Sequence, residues 1–198
     1  MKQVNERVSD MLQYMQPYME ECFYDTCHLL ETDLEIHGDE VWNELRHNVN
    51  VILNRAADSQ ILNKKDSIKY VAFSFLKSGI YMDKLVWYIS VWDENFYLDE
   101  QETAEYYCPV LFQDRYLQDL DRLNQILGRQ FIRVQNYEWT DIKMQYAMFY
   151  DAVMKKMIKN LSRLIVSEVM ESKAFTADEL KIIYGSYMDK ADILYAGV

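Results

Sequence analysis

The chain has 198 residues, half of them hydrophobic, and this length fits a single domain with a sizeable core. Its 21 Lys and Arg are outnumbered by 32 Asp and Glu, so the formal net charge of −11 disfavours nonspecific binding to nucleic acid or to anionic lipid. Only 5 Gly and 2 Pro occur, which disfavours an all-β sandwich with many tight turns.

The N-terminal part of the chain is predicted to be helical, because its apolar side chains recur at helical spacing. Pro17 either kinks the first helix or begins the next one. Gly38 is expected to break the helical stretch, and Asp39 can cap another helix that runs to about Ala57. Residues 1–57 are therefore expected to form a helical hairpin.

Residues 68–92 are apolar on both faces at strand spacing, which is the most distinctive pattern in the sequence. Two alternating runs are separated by Ser78-Gly79 and predict a β-hairpin. A strand that is apolar on both sides has to be covered on both sides. We therefore expect either that the hairpin is the centre of the fold or that one of its faces is a docking surface.

The segment that follows Asp99 is rich in glutamate, which favours the first turn of a helix, and Pro109 is expected to end this short helix. Another helix is predicted from about Val110 to Leu127. Residues 130–135 are expected to add a third strand beside the hairpin.

The longest helical pattern extends from Asp141 to about Glu171, and its apolar sector is unusually wide. Thr176-Ala177-Asp178-Glu179 has the form of a capping box and predicts a final helix. We thus predict an α+β, predominantly helical fold, a single domain of residues 1–198, in which six or seven helices surround a small antiparallel sheet. Its parts are the helical hairpin at 1–57, the β-hairpin at about 68–92 and the C-terminal helices at 99–198.

Two acid–histidine pairs, Asp25-His28 and Glu44-His47, have the spacing of metal ligands in di-iron helix bundles. In each predicted helix, however, the histidine lies opposite the apolar stripe, whereas the ligands of bundle metal sites point inward. Exposed salt-bridge partners are the favoured interpretation, and no metal is expected. A metalloprotein or enzyme that uses scattered carboxylates with either histidine stays open as an alternative.

The sequence lacks the usual motifs for nucleophilic catalysis and for phosphate binding, so no catalytic residue and no cofactor are expected.

Cys22 and Cys27 do not have the C-x-x-C spacing of zinc or redox sites, and Cys108 makes the number of cysteines odd. Free thiols in a reducing compartment are favoured. The N-terminus shows no signal-peptide pattern and no segment has the length of a membrane helix, so a cytoplasmic protein without membrane contact is expected. Its residue usage is typical of bacterial proteins.

Aromatic side chains in and after the hairpin form the first candidate binding surface: Trp87, Trp92, Phe96 and Tyr97. The chain as a whole contains 16 Tyr and 4 Trp, and aromatic residues are enriched at protein interfaces. Exposed aromatics at the hairpin ends would mark a patch for a protein partner.

A basic stripe on the longest helix forms the second candidate surface: Lys155, Lys156, Lys159 and Arg163. In an acidic protein, these side chains predict a site for an anionic partner, such as a phosphate group. Pairing with acidic neighbours is the simpler alternative.

The function that these features favour is that of a non-enzymatic cytosolic protein that acts through a protein partner or through self-association. Two alternatives remain open at this point. One is an acidic inhibitor that mimics nucleic acid, or an accessory subunit of a nucleic-acid-binding complex. The other is the carboxylate and histidine metalloprotein or enzyme, which would leave no linear motif.

Overall fold

The structure, a computed structural model, describes residues 2–197 of the chain apart from the side chains of residues 2–5 and of Tyr97. Three α-helices lie in this range: Lys2–Ile61 (α1), Val110–Gln130 (α2) and Asn136–Glu171 (α3). They are accompanied by five strands: Ile68–Phe75 (β1), Trp87–Trp92 (β2), Thr103–Tyr107 (β3), Thr176–Ser186 (β4) and Ala191–Ala196 (β5). Short 3-10 helices follow β1 and β2: Lys77–Met82 and Phe96–Leu98.

The five strands form one mixed sheet in the order β3-β2-β1-β4-β5. β1 pairs with β2 antiparallel and with β4 parallel, while the β2–β3 and β4–β5 pairs are antiparallel. Parallel neighbours need a long connection, and between β1 and β4 the chain passes through β2, β3, α2 and α3. β1 is therefore the central strand, and β3 and β5 are the edges.

The prediction of six or seven helices around a small antiparallel sheet is wrong. Over residues 2–197 the chain forms three α-helices, two 3-10 helices and a five-stranded mixed sheet. The antiparallel pairing of the two strands at 68–92 is present. However, the two strands are joined by the 3-10 helix Lys77–Met82, and β1 also pairs with β4 on its other side. Strand pairs that are distant in sequence left no local signal from which a larger sheet could be inferred.

The expected helical hairpin at 1–57 is also wrong, because α1 is continuous from Lys2 to Ile61 and contains both Pro17 and Gly38. An interior proline costs a helix about 3 kcal/mol and a glycine about 1 kcal/mol relative to alanine. Neither residue forbids a helix when burial offsets the cost. Buried side chains occur on both sides of the two positions: Met11, Met15, Met19, Cys22, Leu30, Val41 and Leu45.

The final helix predicted from the capping box at 176–179 is a strand, β4. Ile182 and Tyr184 favour strands, and β4 pairs with the central strand β1 over most of its length. Backbone pairing with a buried strand therefore overrides the local capping signal, which is worth only about 1 kcal/mol.

Two shorter segments also differ from their predictions. The helix expected after Asp99 is replaced by the strand β3, Thr103–Tyr107, which pairs with β2. The strand expected at 130–135 is absent from the described chain, where residues 131–135 form a bend between α2 and α3. Arg133 has a φ of 54°, which interrupts an extended backbone. The predicted helices at 110–127 and 141–171 are confirmed as α2 and α3.

The chain divides into two compact units, and the first comprises Met1–Gly38, Lys77–Leu85 and Pro109–Ala152. Its core is helical and rich in aromatic side chains. The buried members include Met11, Met15, Cys22, Phe112, Tyr116, Leu123, Tyr146 and Tyr150. We call this part unit 1. The single domain predicted from the sequence stays a prediction.

The second unit, called unit 2, comprises Asp39–Leu76, Val86–Cys108 and Val153–Val198 and therefore contains the whole sheet. The C-terminal parts of α1 and α3 pack together in it. Arg46 of α1 bonds Glu168 of α3 at 2.7 Å, and Asn50 donates to the same carboxylate at 3.0 Å. Burial by itself raises the pKa of Glu168, but these hydrogen bonds outweigh it and the pKa is lowered.

Candidate functional site

One face of the sheet packs against helices. Its middle row of directly opposed residues crosses all five strands: Glu105, Ile89, Phe73, Tyr184 and Asp192. At one end of this row, Arg55 of α1 bonds Glu105 at 2.8 Å. At the other end, Lys155 of α3 forms an ion pair with Asp192. Both helices therefore lie over this face, which we call the helix face.

The opposite face carries the alternate side chains of the same strands, because side chains point to opposite sides with a period of two. Small residues occupy much of its middle, including Ala104, Ser90, Ala72 and Gly185. Aromatic residues flank them in two groups. We call this the aromatic face, with Tyr70, Tyr88, Trp92, Phe96, Tyr106 and Tyr187 as its aromatic members.

The first aromatic group surrounds Trp92. The ring centroid of Phe96 lies 6.0 Å from that of Trp92 and 5.0 Å from that of Tyr70. The indole N–H of Trp92 donates to Oγ of Ser90 at 2.7 Å. Together with Ala72 and Ile183, these side chains form a small apolar cluster on the aromatic face.

The second group consists of Tyr88, Tyr106 and Tyr187 around one carboxylate, and we call it the tyrosine cluster. The centroid of Tyr88 lies 5.4 Å from that of Tyr106 and 5.2 Å from that of Tyr187. The hydroxyl of Tyr88 donates to Oε1 of Glu102 at 2.6 Å, and that of Tyr187 donates to the same oxygen at 3.4 Å. Burial, followed by the neighbouring carboxylate, raises the pKa of Tyr88. Its hydroxyl therefore stays protonated and remains a donor at neutral pH.

The four residues predicted as partner contacts do not form one patch. Trp87 lies on the helix face with 0% exposure, and its indole N–H donates to the hydroxyl of Tyr184 at 2.7 Å. Trp92 and Phe96 are brought together on the aromatic face. The side chain of Tyr97 lies outside the described residues. The role of these residues in binding stays a prediction.

Sequence reasoning missed the tyrosine cluster. Tyr88 lies in a strand that was expected, but Tyr106 and Tyr187 lie where helices were predicted. The alternation of Tyr106 with Glu105 and Tyr107 in a short segment is the only local signal. This alternation places Tyr106 beside Tyr88 only when β3 is known to pair with β2.

The four side chains of the basic stripe do not share one environment. Lys155 forms the ion pair with Asp192, whereas Lys156, Lys159 and Arg163 are exposed. Anion binding by this stripe stays a prediction.

A buried carboxylate forms a polar network in unit 1. Asp119 of α2 is 8% exposed and accepts hydrogen bonds from the hydroxyls of Thr26, Tyr146 and Tyr150 at 2.6 to 2.9 Å. Burial, followed by the charge of Asp119, raises the pKa of both tyrosines well above the usual range. The same surroundings raise the pKa of Cys22 to about 11, chiefly through burial. The donors and acceptors satisfy one another, as expected of a network that orders a core.

The residues of the two acid–histidine pairs lie at exposed or partly exposed positions. His28 and His47 are exposed, and Asp25 bonds Arg122 at 2.8 Å. His28 lies 3.8 Å from Glu31, one turn along α1. Among the described residues, no group of three or more His, Cys, Asp or Glu side chains is arranged to hold a metal ion.

Comparison with protein families, with curated proteins and with solved structures finds no match to this chain. Within the described part of the chain, no helix combines the length and the apolar character that crossing a membrane requires. Because no similar protein suggests a function, the interpretation of function depends on the geometry of the aromatic face.

Proposed function

We propose that this protein is non-enzymatic and acts by binding a partner protein through the aromatic face of unit 2. The observation that carries the proposal is the exposure of large side chains at the margins of the aromatic face. Its centre is closed, since Ala72, Ser90 and Trp92 are at most 4% exposed. Around this centre, Tyr106 is 65% exposed, Ile193 60% and Tyr187 38%.

Aromatic side chains support this role for a physical reason. Tyr and Trp offer a large contact area while losing little rotamer freedom, and they are enriched in the energetically dominant centres of protein interfaces. Tyr106 and Ile193 lie on opposite edge strands of the sheet, β3 and β5. A partner that contacts both would span the whole width of the aromatic face.

A cytoplasmic location belongs to the same proposal. None of the three cysteines, Cys22, Cys27 and Cys108, forms a disulfide, which suits a reducing compartment. Partly buried thiols in an extracellular protein of this size would more often be paired.

Capture experiments with two matched double variants test the proposal. Tyr106→Ser with Ile193→Ser removes exposed apolar groups from the aromatic face. Tyr24→Ser with Ile36→Ser removes equally exposed groups, 66% and 69%, from α1 in unit 1. Each immobilised protein is incubated with lysate of the native host, and the retained proteins are quantified by mass spectrometry.

A specific partner should be retained by the wild type and by the α1 variant. Its retention should fall about tenfold or more with the variant of the aromatic face, because loss of interface hot spots costs about 2 kcal/mol or more. Circular dichroism confirms that both variants remain folded. Equal retention by both variants, or no retained protein at all, would show that the aromatic face is not a docking surface.

A further inference from the structure

We infer, on the basis of the proposed function, that the tyrosine cluster binds the guanidinium group of an arginine in a basic segment of the partner protein. The cluster combines three features that such a group requires. They are exposed aromatic rings, a fixed carboxylate and a negatively charged surrounding protein.

The rings provide the surfaces on which a cation can lie. The planes of Tyr88 and Tyr106 are inclined by 56°, and those of Tyr88 and Tyr187 by 82°. The ring faces therefore point in different directions around Tyr88. A cation within about 6 Å of a ring centroid is attracted by the negative face of the π-system. The 65% exposure of Tyr106 leaves its ring accessible to such a group.

The carboxylate supplies the opposite charge at a fixed position. Glu102 is exposed, and the hydroxyls of Tyr88 and Tyr187 both donate to its Oε1. These two donors orient a side chain that would otherwise rotate freely. Tyr88 connects the two features, because its ring contacts that of Tyr106 and its hydroxyl bonds Glu102. A cation bound at the cluster would therefore meet a π-face and an anion.

An arginine fits this arrangement better than a lysine. A guanidinium group is planar, so it can stack on a tyrosine ring while its N–H groups donate to a carboxylate. An ammonium group is compact and strongly hydrated, so it loses more hydration when it is placed against a ring.

The charge of the whole chain favours a basic occupant over a second copy of this protein. The formal net charge is −11, so two copies repel each other, whereas a basic segment is attracted. Attraction alone would not distinguish the tyrosine cluster from the rest of an acidic surface. The test therefore depends on side-chain chemistry rather than on charge.

Titration with short peptides provides this test. One fluorescent peptide carries several arginines, and a second has lysine at the same positions. Dissociation constants are measured by fluorescence anisotropy at about physiological ionic strength, where long-range attraction is screened. The wild type is compared with Tyr106→Leu and Glu102→Gln. Tyr24→Leu and Glu35→Gln, at exposed positions of α1 in unit 1, are the matched controls.

The arginine peptide should bind the wild type more tightly than the lysine peptide. Tyr106→Leu and Glu102→Gln should each weaken arginine binding by about three- to thirty-fold, while the two controls change it by less than twofold. Tyr106→Leu keeps an apolar side chain but removes the aromatic ring and its hydroxyl, and comparison with Tyr24→Leu corrects for the same change at a site outside the cluster.

Equal binding of the two peptides, or equal loss with the control variants, would overturn the assignment of arginine to the tyrosine cluster. The assignment also fails if neither peptide binds. In these cases the capture experiment can still succeed, which would leave the aromatic face as a docking surface for a partner of different chemistry. Failure of the capture experiment would instead remove the proposed function itself.

Discussion

Asp119 and Glu102 both accept hydrogen bonds from tyrosine hydroxyls, but their surroundings differ. Asp119 is buried in unit 1 and accepts from Tyr146 and Tyr150 at 2.6 Å. Glu102 is exposed in unit 2 and accepts from Tyr88 at the same distance. A buried carboxylate with satisfied hydrogen bonds holds a core together, whereas an exposed one can exchange its neighbours for a ligand.

The first prediction concerns Asp119, whose removal should destabilise the fold strongly. Asp119→Ala leaves the hydroxyls of Thr26, Tyr146 and Tyr150 without their acceptor. A buried polar group without a partner costs about 1 to 3 kcal/mol, so the free energy of unfolding should fall by about 3 to 5 kcal/mol. Urea denaturation followed by circular dichroism measures this change.

The neighbouring Asp121 provides the control for this prediction. It lies two residues further along α2 and is exposed. Asp121→Ala should change the free energy of unfolding by no more than about 0.5 kcal/mol, as is usual for surface positions. If the two alanine variants are equally stable, the network around Asp119 does not stabilise the core.

Helices and strands could be predicted from the sequence where the hydrophobic periodicity is clear over many residues. They could not be predicted where pairing with another strand determines the conformation. The periodic stretches of α2 and α3 identify both helices, and the alternation at 68–92 identifies β1 and β2. β3 and β4 carry local helix signals, but pairing with β2 and β1 decides their conformation. Because strand pairing joins residues that are far apart in sequence, a local pattern does not contain it.

The candidate site was accessible to sequence reasoning only in part, for the same reason. Trp92 and Phe96 stand near a predicted strand, so their position at the end of the hairpin could be inferred. Tyr106 lies in β3 and Tyr187 directly follows β4, so both reach the aromatic face only because these segments are strands. Trp87 was predicted as a partner contact but is buried on the helix face. In a strand that is apolar on both faces, the sequence does not indicate which face a tryptophan occupies.

The second prediction compares two glycines in different elements. A Cβ on Gly185 of β4 would lie 2.3 Å from the carbonyl oxygen of Lys190 and 2.9 Å from Cα of Ala191. Backbone atoms cannot move away cheaply, so Gly185→Ala should destabilise the protein by about 1 to 3 kcal/mol. Hydrogen–deuterium exchange should become faster in β5, because that strand must shift to relieve the clash.

The same substitution at Gly38 of α1 should stabilise the protein. A Cβ at this position meets nothing within 4 Å, and the residue lies inside a helix. Gly38→Ala should therefore raise the free energy of unfolding by about 0.5 to 1 kcal/mol, because alanine loses less backbone freedom on folding. A stabilising effect of Gly185→Ala, or a destabilising one of Gly38→Ala, would contradict the geometry of these two elements.

At the scale of the whole molecule, the sequence pattern and the structure agree on one point that concerns function. The strands at 68–92 are apolar on both faces, and this pattern left open whether each face is covered. In unit 2, α1 and α3 lie over the helix face, as the ion pairs of Arg55 and Lys155 show. The aromatic face retains exposed side chains at Tyr106 and Ile193. The two-sided pattern is thus explained by helix packing on one side and, on the other, by the apolar cluster in which Ala72 and Trp92 are each 4% exposed.

The third prediction is that units 1 and 2 unfold in one transition, as a single domain would. The helices α1 and α3 each contribute residues to both units, so neither unit can unfold without breaking two long helices. Three of the four tryptophans, Trp42, Trp87 and Trp92, lie in unit 2, whereas Trp139 lies in unit 1. Fluorescence of a Trp139→Phe background therefore reports on unit 2. Asp119→Ala changes unit 1 alone, yet it should shift the fluorescence midpoint in urea as far as the midpoint seen by far-UV circular dichroism. Coincident shifts are the standard sign of two-state unfolding. A fluorescence midpoint that stays at the wild-type value would mean that the units unfold separately, and the chain would then be two domains that share helices.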